Sequence, residues 1–310
     1  MKIVQVYSPA TIANISCGFD VLGMALNYPG DKMVLRKSHY PGVHIYNIQG
    51  ANLPQQSNRN VVGVVLEKIL DNLPNNKYGI EVEIYKNINT GSGIGSSAAS
   101  AAGAAVGANL LFGNCFKTIE IVRFAIEGEG LASGSRHADN VAPAIMGGFT
   151  LVKSSHPLEI ISLPSPKNLW VTILHPKFEI KTKEARKILK PNVLMKDAIG
   201  QWGNVGAFVS ALYREDYCLI SRSLKDFIVE PIRSTYIKKY YELNIECKKV
   251  GALGGGISGS GPSVFMLSEG KEIANRVAYR MHDIYKKLNI YYKIYISTVN
   301  NIGVKAAFTN

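Results

Sequence analysis

Cysteine is scarce in this sequence, and long apolar runs are missing. The 310 residues include four cysteines, which lie far apart and form no Cys-x-x-Cys pair, so neither a zinc site nor a disulfide framework is expected. The longest apolar stretch, 98–112, contains two glycines and an asparagine and is too short to span a bilayer. The N-terminal segment does not have the charge and apolar run of a secretion signal. We therefore expect a soluble cytoplasmic protein without a membrane partner.

Concentrated basic charge is also absent. The net charge is +12, but the lysines are scattered, and no basic run is longer than a pair such as Lys248-Lys249. Nucleic-acid-binding segments usually cluster their basic residues and interleave them with aromatic ones. A basic surface that attracts anionic substrates explains the charge as well. We expect no nucleic-acid partner, and a steeply salt-dependent affinity for nucleic acid would contradict this.

Helical and strand periods are mixed along the chain without regular alternation, which predicts an α+β fold. Two domains are expected at this length, and Pro164 and Pro166 mark a boundary between domains 1–165 and 166–310. The small side chains of 97–112 predict a buried central helix. Strands are predicted at 2–6, 32–36, 43–48, 80–85, 170–174, 290–299 and 303–308, and helices at 60–73, 97–112, 118–130, 181–189, 197–212 and after Ser268.

A glycine-rich loop follows the strand predicted at 80–85 and opens the central helix. Three glycines give the backbone conformations closed to other residues, so its amides can converge on a phosphate at the helix N-terminus. The loop is neither a Walker loop nor a clean dinucleotide fingerprint. A structural glycine turn before a tightly packed helix explains the same composition. The loop, called the phosphate loop below, is Gly91-Ser92-Gly93-Ile94-Gly95-Ser96-Ser97.

Three segments together resemble the superfamily of galactokinase, homoserine kinase, mevalonate kinase and phosphomevalonate kinase, the GHMP kinases. The phosphate loop is similar to their motif Pro-x-x-x-Gly-Leu-Gly-Ser-Ser-Ala, with Asn89 in place of the proline and Ile94 in place of the leucine. Residues 8–20 resemble Pro-Ala-[Ser/Thr]-x-Ala-Asn-x-Gly-x-Gly-Phe-Asp of the homoserine kinases, with Ser16 where glycine is usual. Residues 254–263 are similar to the third, glycine-rich motif, and 136–143 are most like homoserine kinases.

The resemblance implies a ribosomal-protein-S5-domain-2-like N-terminal domain that binds ATP and a ferredoxin-like α/β-plait C-terminal domain. It also implies Mg²⁺-assisted phosphoryl transfer from ATP to L-homoserine, a step of threonine biosynthesis, by a homodimer. Asn60 matches an asparagine near the adenine, although its position also suits a helix N-cap. The residues implied at the ATP phosphates are Gly91, Ser92, Gly93, Ile94, Gly95, Ser96 and Ser97.

Ser97 and Glu127 match the metal-binding pair of the superfamily. Mg²⁺ favours few protein ligands, usually carboxylate or hydroxyl oxygens. A solvated helix position is the alternative interpretation of Glu127. Glu129 is expected to face the other way, into solvent.

Homoserine carries an ammonium and a carboxylate, and the resemblance places charged partners for both. Asp20 suits the amine, while Arg186 and Arg233 suit the carboxylate through their planar guanidinium groups. Asn14 and His137 match residues that contact the substrate. On sequence alone, a surface helix for Arg186, a loop ion pair for Arg233 and a structural role for His137 remain open.

The resemblance places Asn140 near the acceptor hydroxyl, with His137 and Asp139 completing the catalytic group. Related sugar and mevalonate kinases use an aspartate as general base there, whereas an asparagine cannot accept the proton. We therefore expect transfer by positioning and Mg²⁺, with the γ-phosphate or water taking the proton.

Two other functions remain open from the sequence. One is another kinase of the superfamily, such as one for a mevalonate-pathway intermediate, whose substrate lacks the amine that Asp20 would bind. The other is a nucleotide-binding protein without turnover, because this fold hosts more than one function.

Overall fold

Helices and strands are mixed in an α+β arrangement, as the sequence predicts. The computed structural model describes residues 2–74, 77–134, 136–180 and 182–309. Within them the strands form one sheet of seven and one of four strands. The residues that line the cavity described below come from both halves of the chain.

The first sheet is built mostly from the N-terminal half. The first strand pairs antiparallel with the second and with the last, and the third pairs parallel with the fourth. The fifth strand joins the second and forms a hairpin with the sixth. These strands are β1 (Ile3–Ala13), β2 (Leu22–Ser38), β3 (Val43–Gln49), β4 (Gly79–Tyr85), β5 (Phe149–Ser155), β6 (Leu158–Leu163) and β11 (Lys305–Thr309).

Four helices accompany this sheet, and the second of them is the predicted buried helix. Its packing requires small residues, because a Cβ on Gly107 would lie 2.7 Å from Val6 Cγ2 and 2.8 Å from Leu35 Cδ1. The helix therefore lies close against β1 and β2, and it begins at Ser96, within the phosphate loop. The four helices are α1 (Val61–Asn72), α2 (Ser96–Leu111), α3 (Thr118–Ser133) and α4 (Val141–Met146).

The second sheet is antiparallel throughout, in the order β10-β7-β9-β8. Its strands are β7 (Leu169–Pro176), β8 (Gly254–Ile257), β9 (Val264–Glu269) and β10 (Tyr292–Thr298). Six helices lie in this half of the described chain: α5 (Thr182–Lys187), α6 (Met195–Arg214), α7 (Tyr217–Ser223), α8 (Glu230–Arg233), α9 (Tyr240–Lys249) and α10 (Lys271–Tyr285). Residue 181, where a helix is predicted to begin, lies outside the described residues.

The structure departs from the sequence predictions in two ways. Residues 305–309, assigned to the domain 166–310, add β11 to the edge of the first sheet beside β1. The sequence analysis does not predict the hairpin β5–β6, the strands β8 and β9, or the helices α4, α7, α8 and α9. These helices have four to ten residues, too few turns for a clear helical period.

One apolar cluster joins the two sheets. It includes Ile12 and Phe149 from the first sheet, Val171 and Phe265 from the second, and Phe208 from α6. The phosphate loop touches this cluster through Ile94, which is buried within it. The loop is thus held where the two sheets meet.

Candidate active site

A cavity of about 550 Å³ lies beside the phosphate loop. Within the described residues it is lined by the loop, by the N-terminal end of α1, and by residues after β1, after α3 and around α5. A cavity of this size holds a nucleotide-sized ligand. It brings together predicted site residues from distant segments, namely Asn14, Asp20, Asn60, Gly91, Ser92, Gly93, Gly95, Ser96, Ser97, His137, Asp139, Asn140, Arg186 and Arg233.

The loop backbone needs its glycines. Gly91, Gly93 and Gly95 have φ of 65°, 80° and 72°, values that favour glycine. A Cβ on Gly93 would lie 2.6 Å from the carbonyl oxygen of Gly261, and one on Gly95 would lie 2.0 Å from Thr11 Oγ1. The loop is therefore packed against β1 and the third glycine motif, and its residues line the cavity.

The predicted phosphate ligands divide into two groups. Ser92 Oγ is buried and has no hydrogen-bond partner among the described residues, and Ser97 is half-buried at the cavity. Ser96 Oγ instead donates to the carbonyl oxygen of Ile88. The side chain of Ile94 packs in the core and does not line the cavity, so only its backbone is available to a phosphate.

A buried lysine missed by the sequence reasoning holds the loop in place. Lys86 follows β4 and forms an ion pair with Asp31, and its ammonium also donates to Ser96 O and Ser100 Oγ, each at 2.9 Å. Burial lowers the pKa of Lys86, while Asp31 opposes this effect. The pair fastens the N-terminus of α2 to the end of β4. A single lysine directly after a short strand gives no motif by which to find it.

The two glutamates of α3 lie opposite to expectation. Glu129 is 8% exposed and lines the cavity, and its carboxyl hydrogen-bonds to the side chain of Ser97. The side chain of Glu127 is 35% exposed, pairs with Arg136 at 2.8 Å and does not line the cavity. The expectation that Glu129 faces solvent is therefore wrong. The helical period of α3 places Glu129 on its apolar side, three residues after Ile126 and seven after Val122, so this burial could have been predicted.

Burial dominates the charge state of the acids at this end of the cavity. It raises the pKa of Glu129 to about 7, with the hydrogen bond to Ser97 opposing it. It also raises the pKa of Asp139 to about 7, and the charges of Asp20 and Glu129 add to that shift. Both carboxyls therefore titrate near neutral pH.

Asn140 and Asp139 lie before α4, close to the phosphate loop. Thr11 Oγ1 donates to Asn140 Oδ1 at 2.7 Å, which leaves the amide nitrogen of Asn140 as the group that can donate to a ligand. Asp139 is buried, and its Oδ1 has no hydrogen-bond partner among the described residues. Thr11 was missed as a site residue, because its contact with Asn140 joins segments 129 positions apart in the sequence.

Charged residues of opposite sign meet at the far end of the cavity. Asp20 accepts two hydrogen bonds from Arg186 Nη2, at 2.8 and 2.9 Å, and its Oδ2 lies 3.9 Å from His137 Nδ1. Asn14 Oδ1 accepts from the backbone N–H of Asp20 and fixes that residue at a positive φ. Two nitrogen atoms, Arg186 Nε and His137 Nε2, are buried and have no hydrogen-bond partner among the described residues. Burial lowers the pKa of His137, which favours its neutral ring, although the charge of Asp20 opposes this effect.

Arg233 is the more rigid of the two arginines. It is buried and donates to the carbonyl oxygens of Ala185 and Gly259. Burial and the charge of Arg186 lower its pKa to about 10. Both guanidinium groups lie over the ring of Phe19, at 5.1 and 5.3 Å from its centroid, a contact that keeps the two cations side by side. Phe19 was missed as a site residue.

Comparison with known proteins identifies the family. The GHMP kinase N-terminal domain matches residues 60–148, and the GHMP kinase C-terminal domain matches residues 208–287. A homoserine kinase from Chlorobium phaeobacteroides (strain BS1) is 44% identical over 98% of this chain and 99% of its own length. The chain belongs to the GHMP kinase family. A homoserine kinase from Methanococcus maripaludis (strain S2) is 37% identical over 88% of this chain and 90% of its own length.

Solved structures agree with this membership. The crystal structure of homoserine kinase from Cytophaga hutchinsonii has a TM-score of 0.95 and 45% identity, covering 98% of this chain and 97% of that one. The mevalonate kinase of Methanococcus jannaschii, with a TM-score of 0.70 at 13% identity over 95% of this chain and 98% of that one, shares the fold. The α+β fold predicted for this GHMP kinase is thereby confirmed.

Asn60 of this GHMP kinase is the N-cap of α1. Its Oδ1 accepts from the backbone N–H of Val62 at 2.9 Å, and its Nδ2 donates to the carbonyl oxygen of Pro54 at 2.7 Å. Asn60 is buried and lines the cavity. The structure therefore shows the N-cap role, and a contact of Asn60 with adenine stays a prediction.

The described part of this GHMP kinase contains no group of three or more His, Cys, Asp or Glu side chains arranged to hold a metal ion. Among the same residues, no helix is long and apolar enough to cross a membrane.

Proposed function

We propose that this protein is a homoserine kinase: ATP and L-homoserine give ADP and O-phospho-L-homoserine, a step toward threonine. The observation that carries the proposal is the pairing of Asp20 with Arg186 in the cavity that the phosphate loop lines. A small zwitterion is bound best by one anionic and one cationic side chain that lie close together, as Asp20 and Arg186 do. The glycine loop supplies the backbone amides that bind the phosphates of the donor. The proteins that are 37–44% identical over most of the chain bear the name homoserine kinase.

The orphaned polar atoms around the cavity support this pair of ligands. Ser92 lines the cavity among the amides of Gly91–Ser97, and its Oγ is buried without a hydrogen-bond partner among the described residues. Arg186 Nε and His137 Nε2 remain for a carboxylate, together with the planar guanidinium of Arg233. Buried polar groups without partners cost about 1–3 kcal/mol each, so a ligand that satisfies them gains affinity.

In the proposed arrangement, Asp20 and Asn14 hold the ammonium of homoserine, and the two arginines hold its carboxylate. The acceptor hydroxyl then points toward Asn140 and His137. Asn60 lies at the adenine end, near the α1 terminus. The cavity encloses the substrates, and holding both of them in line is the main contribution of the protein to phosphoryl transfer.

The donor set fits magnesium. Ser97 and Glu129 lie together at the cavity, and a buried carboxyl with a pKa of about 7 gains from a nearby cation. Mg²⁺ is typically held by one or two protein oxygens with substrate phosphates and water, so a single carboxylate with one hydroxyl suffices. We propose Glu129, and not Glu127, as the partner of Ser97. The ion would neutralise charge on the phosphates.

We propose that the transfer uses no dedicated aspartate base. Asn140 donates to the acceptor hydroxyl and cannot take its proton, which passes to the γ-phosphate or to water. One observation favours the alternative: Asp139 has a pKa of about 7 and a buried Oδ1 without a partner among the described residues, which suits a general base. Turnover of the Asp139→Asn variant distinguishes transfer without a dedicated base from transfer with Asp139 as the general base.

A coupled assay of ADP release over homoserine, mevalonate and galactose tests the activity. We expect Mg²⁺-dependent ADP release with homoserine and none with mevalonate or galactose. Turnover with mevalonate but not homoserine would show that Asp20 serves a different substrate. Magnesium-independent ATP binding without turnover on any of the three would instead show a binding protein.

We further propose a homodimer that works in the cytoplasm and takes no nucleic acid, with helix α6 at the dimer contact. Met195, Ile199, Trp202 and Tyr213 are 54–68% exposed along one side of α6. Gly203 and Gly206 lie on the same side with open space around them, although glycine in a helix costs about 1 kcal/mol relative to alanine. Small residues between apolar ones allow close approach of a second helix.

Sedimentation analysis of Trp202→Glu tests the dimer. We expect this variant to be monomeric at concentrations where the wild-type protein and Tyr279→Glu, a change of another exposed aromatic residue on α10, are dimeric. Wild-type protein that sediments as a monomer would refute the proposal.

A further inference from the structure

Asn89, two residues before the phosphate loop, is bound by a buried histidine of the second sheet. Asn89 Nδ2 lies 3.3 Å from Nε2 of His175, which is the seventh residue of β7. His175 is 3% exposed, although it belongs to a residue type that usually keeps some contact with water. The contact crosses from one half of the chain to the other.

The contact continues through a serine back to the loop. His175 Nδ1 lies 3.1 Å from Ser263 Oγ, and Ser263 Oγ donates to the carbonyl oxygen of Ser92 at 2.6 Å. Ser263 is fully buried. Two side chains of the second half thus bridge residues 89 and 92, and they close a ring over the start of the loop. We call Asn89, His175, Ser263 and Ser92 the loop relay.

Only one protonation state satisfies every bond of the relay. The single hydroxyl hydrogen of Ser263 is donated to Ser92, because a carbonyl oxygen only accepts. His175 Nδ1 must therefore carry a hydrogen and donate to Ser263, and Nε2 of the neutral ring accepts from Asn89. Burial and the neighbouring Lys293 lower the pKa of His175 to about 4, so the ring is neutral at neutral pH.

Asn89 occupies the position at which the GHMP motif has proline. A proline restricts its own φ and the conformation of the residue before it, and it would stiffen the chain as it enters the loop. Asn89 has no such covalent restraint. Its backbone N–H makes no hydrogen bond to another described residue, so a proline here would remove no donor that the fold uses.

We propose that His175 is a positioning residue for ATP binding: through Asn89 and Ser263 it fixes the phosphate loop against the second sheet, and it replaces the restraint that a proline at position 89 would give. Ser258 Oγ, which donates to Gly93 O at 2.7 Å, secures the next part of the loop from the same side. This inference rests on the proposed ATP site. Preorganised amides bind phosphate more tightly than amides of a mobile loop, because less ordering accompanies binding.

The test measures Mg-ATP affinity by calorimetry without homoserine, and then steady-state kinetics. We expect His175→Phe to weaken ATP binding about tenfold, as for the loss of one to two hydrogen bonds, with KM for homoserine changed less than about twofold. Asn89→Ala, a change at a half-buried loop position that leaves the core intact, is expected to weaken ATP binding about fivefold. Asn87→Ala, which removes a side chain bonded to Gly30 O instead, serves as the matched control and keeps wild-type affinity.

The decisive comparison introduces proline. Asn89→Pro alone is expected to bind ATP within about twofold of the wild-type protein, and it should reduce the penalty of His175→Phe from about tenfold to less than threefold. The proposed role of the relay would be overturned if His175→Phe weakened ATP binding equally with asparagine and with proline at position 89. It would also be overturned if Asn89→Ala bound ATP with wild-type affinity. Wild-type protein that binds no ATP would overturn the proposed function and the relay with it. If the wild-type protein binds ATP but the effects of His175→Phe and Asn89→Pro on ATP affinity are additive, the relay is overturned and the proposed function is not.

Discussion

Arg186 donates two hydrogen bonds from one nitrogen, Nη2, to both carboxylate oxygens of Asp20. The anion proposed for the substrate amine is therefore already joined to a cation proposed for the substrate carboxylate. A zwitterion placed between them converts one ion pair into two, so that neither Asp20 nor Arg186 loses its charged partner when the substrate binds. A substrate with only one charge lacks this compensation.

Asp20→Asn is expected to raise KM for homoserine about 10- to 100-fold, because the ammonium loses a charged hydrogen-bond acceptor. Steady-state kinetics with saturating ATP measure the change, and KM for ATP should stay close to the wild-type value. Glu184→Gln, on the exposed side of α5, is the control. An unchanged KM for homoserine in Asp20→Asn would remove the amine site from the proposal.

The two glutamates of α3 form a matched pair of variants. Glu129→Gln should lower kcat at least about 100-fold, because the proposed magnesium site loses its only carboxylate. Glu127→Gln should stay within about twofold of wild-type activity, since Glu127 pairs with Arg136 at the surface. Titration with MgCl₂ should show a raised requirement in the first variant only. The reverse result would restore the assignment of Glu127 that the sequence suggested.

Asp139→Asn is expected to retain substantial turnover and to stabilise the protein in a pH-dependent way. The pKa of Asp139 is raised from 3.8 to about 7 in the folded state. Between about pH 4 and pH 7 the folded state therefore holds a proton that the unfolded state has lost, so wild-type stability falls as pH rises through this window. Asparagine does not titrate.

Thermal denaturation of both proteins at pH 5 and pH 8 measures this effect. The difference in free energy of unfolding between the variant and the wild-type protein should be about 2–4 kcal/mol more favourable to the variant at pH 8 than at pH 5. This follows from the linkage between pKa and stability. A loss of turnover of 1000-fold or more in Asp139→Asn would establish Asp139 as the general base. Equal stability differences at the two pH values would show that the carboxyl is not held protonated.

Lys86→Met tests the buried ion pair behind the loop. Removing the ammonium leaves Asp31 with its two backbone donors, Asn87 and Ile88, but without a countercharge. We expect a loss of about 3–5 kcal/mol in the free energy of unfolding, the range for breaking a buried pair. Urea denaturation measures it. Lys153→Met, which removes an exposed partner of Glu159, should have a much smaller effect.

The sequence predicts those parts of the site that local chemistry determines. Gly91, Gly93 and Gly95 predict a loop with positive φ angles, and the small side chains of the central helix predict that it is buried. The contacts of Lys86 with Asp31 and of His175 with Ser263 depend on strands that meet only in the folded chain, and no local pattern marks them. The choice between Glu127 and Glu129 could have been made from the sequence, because the helical period of α3 places Glu129 on the same side as Val122 and Ile126.

The pairing of β1 with β11 places the beginning and the end of the described chain side by side, with Ile3 opposite Thr309. The second sheet is thus inserted between two segments of the first. During synthesis the outer edge of β1 stays uncovered until residues 305–309 leave the ribosome, and such an edge invites association with other chains. A circular permutant that links the paired ends and opens the exposed turn at 156–157 would place β11 directly before β1, so that β1 would meet its partner strand as soon as it is synthesised.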